Sequence, residues 1–146
     1  MGRIFTHGRK YSGPQREYPG YGSILITENG VSEQIDQTQR FNLYDEVRVN
    51  YFKDYTNNVL KAIRINGVNV EGYMAWSLMD NFEWAQGYKE RFGLHFVDFK
   101  TLKRTPKASA LFYKKLVQNN GVPSKSDLDL WIETINEVFN PVNLVH

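Results

Sequence analysis

The feature that most constrains this chain is an alternation of patterns between Ser23 and Leu78. It opens with Ile24-Leu25-Ile26, an aliphatic run with no polar alternation, which reads as a short strand of a parallel sheet covered by helices. From Arg40 to Ile65 the apolar positions Phe41, Tyr44, Val47, Tyr51, Phe52, Tyr55, Val59 and Ile63 recur every three or four residues. That spacing predicts a helix with one buried face, and Asn66-Gly67 supplies its stop. Residues 68–78, VNVEGYMAWSL, then read as a second buried strand. Strand, helix, strand in that order implies parallel pairing. Two parallel strands want cover on both faces and both edges, so further strands are expected from outside these residues.

The rest of the chain divides around this unit. Residues 1–22 are rich in Gly, Pro, Tyr and basic residues and show no period, so an irregular or disordered arm is expected. Asp80–Arg91 reads as a polar-aromatic loop, and residues 92–99, FGLHFVDF, as an extended segment. Thr105 before Pro106 predicts a capped helix from about Pro106 to Gln118, closed by Asn119-Asn120-Gly121. Residues 122–146 are expected to add an extra helix and tail. Its cap is placed at Ser126-Asp127-Leu128-Asp129, and its stripe runs through Leu128, Trp131, Ile132, Ile135, Val138 and Phe139.

Several function classes are disfavoured at this level. A net charge of +2 with scattered lysines gives no nucleic-acid footprint. The composition is that of a globular rather than a membrane-spanning chain. The first fourteen residues lack the apolar core of a secretory signal, and with no cysteine present a cytoplasmic setting is slightly favoured. His7, His95 and His146 have no ligand spacing, so no metal is expected, and His95 reads as a structural histidine. Gly20-x-Gly22 lacks the third glycine of a dinucleotide loop, and no cofactor is expected. Lys103, Arg104 and Lys107 read as a solvated helix start. Aromatic residues at 14% fit a packed core or a sugar-binding wall.

Two places can carry chemistry. Glu28 stands where the first strand ends, either as a reactive carboxylate or as the cap of the Asn29-Gly30 turn. Trp76, Glu83 and Trp84, at i, i+7 and i+8, offer aromatic faces with an acceptor and a donor, or else two core tryptophans and a solvated acid.

Four blocks decide between these readings: ITENG at 26–30, WSLMDNFEW at 76–84, GYKERFGLHFVDF at 87–99 and RTPKASALFY at 104–113. In order and spacing they resemble the carboxyl-terminal part of glycoside hydrolase family 1, the β-glucosidase, lactase-like and myrosinase family. The resemblance runs from about Ser23 to Gly121. It implies an α/β fold, strands seven and eight with their helices from a (β/α)8 TIM barrel, in which chemistry sits at the carboxyl ends of strands. It implies that Glu28 is the nucleophile of a retaining mechanism. It further implies that Trp76 is the sugar platform, that Glu83 accepts from two adjacent hydroxyls, that the Trp84 indole donates to another, and that Phe92 closes the wall.

The implied partner is a small neutral β-glycoside, a β-glucoside or β-galactoside. Retaining hydrolysis needs a second carboxyl group as acid/base, which the family takes from an Asn-Glu-Pro motif. These residues contain none, since Asn136-Glu137 is followed by Val138. A preceding barrel segment is therefore expected to be required for activity, and without it the chain is expected to be an inactive fragment that binds sugar weakly or contacts a partner.

Overall fold

The computed structural model describes residues 22–34 and 43–124, together with residues 126, 127, 130 and 133. Its elements in chain order are β1 (Ile24–Asn29), β2 (Glu33–Gln34), α1 (Glu46–Asn66), β3 (Val70–Ala75), a 3-10 turn at Trp84–Gln86, β4 (Glu90–Arg91), β5 (His95–Val97), β6 (Arg104–Pro106) and α2 (Ala108–Gln118). Residues 1–21 of the arm expected at 1–22, and the stripe residues Leu128, Trp131, Ile132, Ile135, Val138 and Phe139, lie outside the described residues.

β1 and β3 pair in parallel, with Leu25 opposite Gly72 and Ile26 opposite Tyr73, as the strand–helix–strand pattern requires. Their burial is one-sided. Tyr73 and Ala75 pack toward the helices, whereas Leu25 is 52% and Met74 50% exposed on the other face. β1 was expected to be apolar and covered on both faces; among the described residues only the helical layer covers it.

α1 ends where Asn66-Gly67 predicts. Gly67 takes φ 65° and donates its N–H to the Ala62 carbonyl, a left-handed turn that costs a residue without Cβ nothing. Its start differs from expectation: Leu43–Asp45 are not helical, and residues 40–42 lie outside the described residues. The buried stripe also differs. Arg48, Val49, Phe52, Tyr55, Val59 and Ala62 face inward, while Val47 at 64% and Ile63 at 37% are exposed. Phe52, Tyr55 and Val59 lie on the expected buried face, whereas Val47 and Ile63 do not, and Arg48, Val49 and Ala62 complete it instead.

The expected helix start at Thr105-Pro106 is instead β6, antiparallel to β5 with His95 opposite Pro106 and Phe96 opposite Thr105. Proline is tolerated in such an edge strand because it need not donate. α2 therefore begins at Ala108, and its first N–H groups are satisfied from far along the chain. Ala108 N–H donates to the Leu43 carbonyl at 2.8 Å and Ser109 N–H to Asp45 Oδ1 at 2.8 Å. Ser109 Oγ also donates to Asp45 Oδ2 at 2.5 Å. Asp45 precedes α1 yet caps α2.

α1 and α2 pack on one another around Val49, Phe52, Leu94, Ala108 and Phe112. Among the described tail residues Ser126 and Asp127 are helical, and the cap is at Ser124 rather than Ser126: Ser124 N–H and Oγ both donate to Asp127 Oδ2, at 3.1 and 2.6 Å, and Asp127 N–H returns to Ser124 Oγ at 3.2 Å. That reciprocal pairing is a capping box with aspartate as the returning acid.

Candidate active site

Parallel strands deliver their carboxyl ends to one side, and here the ends of β1 and β3 are joined. Trp76 N–H donates to the Asn29 carbonyl at 2.8 Å, and Tyr73 Oη donates to Asn29 Oδ1 at 2.6 Å. Glu28 is exposed, one residue before that junction. Trp76, half-buried, is joined to Ser77 by a cis peptide bond. Ser77 in turn exchanges backbone hydrogen bonds with the segment carrying Phe92: its N–H donates to the Phe92 carbonyl at 3.1 Å, and its carbonyl accepts from Leu94 at 2.8 Å. Glu28, Trp76 and Phe92 are thus tied to one edge of the structure by main-chain contacts.

Glu83 is linked to the same edge through side chains, and Trp84 follows it in the chain. Ser77 Oγ donates to Asn81 Oδ1 at 3.1 Å, and Asn81 Nδ2 donates to Glu83 Oε2 at 3.1 Å. The turn that follows closes with Glu83 N–H on the Gly87 carbonyl at 2.7 Å. Trp84 is 82% exposed with φ 44°. A bulky residue in the left-handed region is strained, and such strain clusters at functional positions. The alternative reading of Trp84 as core does not fit its exposure. Phe82, Tyr88 and Phe99 stack edgewise and tilted beside the same loop, with ring centres 5.4 and 4.3 Å apart.

The base of the loop is pinned by Asp80, a buried acid whose sequence neighbourhood reads as a polar loop. Its carboxylate accepts from Gly93 N–H at 2.9 Å and Val97 N–H at 3.3 Å, and pairs with Lys107 Nζ at 3.1 Å and Arg91 Nη1 at 3.2 Å. Lys107 was expected to be solvated. It is 3% exposed, and its pKa is lowered chiefly by burial, then by the Arg48 charge, with Asp80 opposing. Arg91 lies over the Phe99 ring at 4.3 Å and the Phe96 ring at 5.3 Å. His95 is satisfied as a structural residue, its Nδ1 2.9 Å from the Leu78 carbonyl.

A second buried acid, Asp45, has its pKa raised by burial, against the pull of Arg48 and the Ser109 donors. Glu33 is raised for the same first reason. One signal for this network was present in the sequence: Arg48 falls on the stripe 48, 52, 55, 59. No group of acids and histidines able to hold a metal ion occurs among the described residues. No described helix is long and apolar enough to cross a membrane.

Residues 14–122 match the family described as glycosyl hydrolase family 1. Beta-glucosidase 44 of Arabidopsis thaliana is 48% identical over 72% of this chain and 20% of its own length. Human lactase-like protein is 43% identical over 80% of the chain and 20% of its own. The 6-phospho-beta-galactosidase of Leptotrichia buccalis is 44% identical over 74% and 23%. The chain spans about a fifth of the length of the curated relatives it matches. Among solved structures, beta-glucosidase 2 of Trichoderma reesei in complex with Tris aligns at TM-score 0.72 and 40% identity, over 80% of this chain and 25% of that one. The Thermotoga maritima beta-glucosidase with deoxynojirimycin aligns at TM-score 0.70 and 38% identity, over 80% and 26%. The fold is accordingly part of a family barrel.

Proposed function

Because the chain belongs to glycosyl hydrolase family 1, we propose that it carries part of the sugar site of a retaining β-glycosidase, with Glu28 as nucleophile. On this reading β1 and β3 are strands seven and eight of the barrel. The observation that carries it is the junction at the strand ends, where Asn29 beside Glu28 accepts from Trp76 at 2.8 Å. A carboxylate and an aromatic platform side by side at the carboxyl edge of a parallel sheet are what attack on an anomeric carbon needs. Trp76 offers its face to the sugar's C–H groups. Glu83, with one oxygen held by Asn81, offers acceptors to the rim hydroxyls. The Trp84 indole donates and Phe92 walls the pocket.

Hydrolysis proceeds in two displacements. Glu28 attacks the anomeric carbon as the leaving oxygen takes a proton from an acid/base, and water then cleaves the glycosyl ester with that group as base. The acid/base belongs to a barrel segment outside these residues. The 146 residues alone are a half-site, and we expect no turnover of an aryl β-glucoside from them, since lost general-acid catalysis alone removes ~10²–10⁴-fold.

Relatives carry the names of both glucosidases and 6-phospho-galactosidases. Glu83 favours the neutral class: a phosphate at ~4 Å from its carboxylate is disfavoured by ~1 kcal/mol in water and ~4 kcal/mol at a protein surface.

The test joins residues 23–121 to a family barrel that supplies the acid/base. A 2-fluoro glycosyl inactivator should then label Glu28, and Glu28→Ala should lose turnover yet regain some with azide, giving product of inverted configuration. Glu83→Ala should lower kcat/KM with no such rescue. Adduct on any other carboxylate would overturn the assignment.

A further inference from the structure

Arg48 has no exposed surface, yet it occupies a position on the buried face of α1 where an apolar side chain would pack at lower desolvation cost. Its guanidinium reaches to both sides. Nε donates to the Val31 carbonyl at 3.1 Å, three residues past Glu28, and Nη2 donates to the Arg91 carbonyl at 2.5 Å, one residue before Phe92. Nη1 is aimed by Asp45 and lies 3.3 Å from Glu33 Oε2. Asp45 is fixed in turn by the first turn of α2 through Ser109. The two segments touch directly through β2 and β4, a pairing of two residues on each side with Glu33 opposite Arg91. So short a ladder does not fix a geometry by itself. A methionine could fill the volume, and a lysine could keep the charge, but neither presents a planar fork that bonds two carbonyls at once.

We propose that Arg48 is a positioning residue, a guanidinium clamp that holds the segment following Glu28 to the segment ending at Phe92. The nucleophile and the sugar-rim groups thereby keep one relative placement. The functional meaning of the clamp rests on the sugar-site reading above, and the clamp itself can be tested without it.

Hydrogen exchange followed by mass spectrometry on the 146-residue chain reads the outcome. In Arg48→Lys, peptides covering 29–34 and 88–93 should exchange ~10-fold faster while those of α1 and α2 change little, because only the junction opens. Val49→Ala, a core cavity beside Arg48, is the control and should speed the helices without singling out the junction. Should Arg48→Lys fail to fold, Asp45→Asn keeps side-chain volume and an acceptor for Ser109 while removing the charge that aims Nη1, and should loosen the same two peptides. Uniform acceleration across the chain, or an unchanged junction, overturns the clamp. Deoxynojirimycin separates the two readings. Slowed exchange across 76–92 in the wild type, lost in Arg48→Lys, supports both. A wild type indifferent to the inhibitor, with the junction still opening in the variant, supports the clamp and counts against the sugar site. Inhibitor protection that survives in Arg48→Lys overturns the clamp and leaves the sugar site standing.

Discussion

Asp80 shows why single buried charges matter here. It neutralises Lys107 and Arg91 and accepts two main-chain N–H groups, so Asp80→Ala would leave two cations and two donors without their acceptor. Breaking a buried pair from one side costs ~3–5 kcal/mol, and chemical denaturation of the variant against wild type measures it. Lys107 gives a pH signature. Its native pKa lies below the ordinary 10.5, mainly because burial penalises the ammonium. Over the window between the lowered value and 10.5 the unfolded chain binds more protons than the native one, so stability rises with pH there. Wild type should therefore gain on Lys107→Met as pH climbs toward 10.5; comparing the two cancels the opposite contribution of Tyr113, whose pKa is raised by burial. A stability difference flat through that range would contradict the burial argument. The pairing of Asp80 with Lys107 and Arg91 was not legible in the sequence. Lys107 stands beside Lys103 and Arg104 and reads as surface, and the acid that buries it is twenty-seven residues away. The proposed sugar-site residues Glu28, Trp76, Glu83, Trp84 and Phe92 come from the family blocks that carry them in order, and not from periodicity or composition.

At the scale of elements, local chemistry was readable and long-range pairing was not. The stop at Asn66-Gly67 and the parallel pairing of β1 with β3 follow from turn chemistry and alternation. The start of α2 does not: Thr105-Pro106 has the local look of a cap, but pairing with Phe96 and His95 draws it into β6, and the cap comes from Asp45 instead. The face of α1 is as expected at Phe52, Tyr55 and Val59 but differs at its margins, since hydrophobicity gives no credit to Arg48. Gly67 tests the readable part. A Cβ there meets no neighbouring atom, so Gly67→Ala isolates the backbone cost of φ 65°. The substitution should destabilise by ~1 kcal/mol with no change in the sheet. A stabilised variant, as expected of alanine in an ordinary helical conformation, would mean that the left-handed stop is not populated.

For the whole molecule the unbalanced surface is the face of the β1–β3 sheet turned away from the helices. Leu25 and Met74 are about half exposed there, and no third strand borders either partner among the described residues. In the matched β-glucosidases this chain's counterpart is about a quarter of the molecule. A sheet that leaves its apolar face and its edges open invites pairing with another chain. The 146-residue chain should therefore self-associate as its concentration rises, with the sheet face as the adhesive. Fully burying a leucine or methionine contributes ~1.5–3 kcal/mol, and these two begin half-buried. Replacing both by threonine keeps strand propensity while removing most of the apolar gain. Leu25→Thr with Met74→Thr should weaken association by ~10-fold or more, since each 1.4 kcal/mol is a factor of ten. The helical core around Phe52 and Phe112 lies on the other face and should keep its cooperative unfolding. Sedimentation velocity across a concentration series measures the first effect and thermal unfolding the second. If the double variant associates as strongly as wild type, the adhesive surface lies elsewhere. The exposed loop aromatics Phe82, Trp84 and Tyr88 would then be the next surface to substitute.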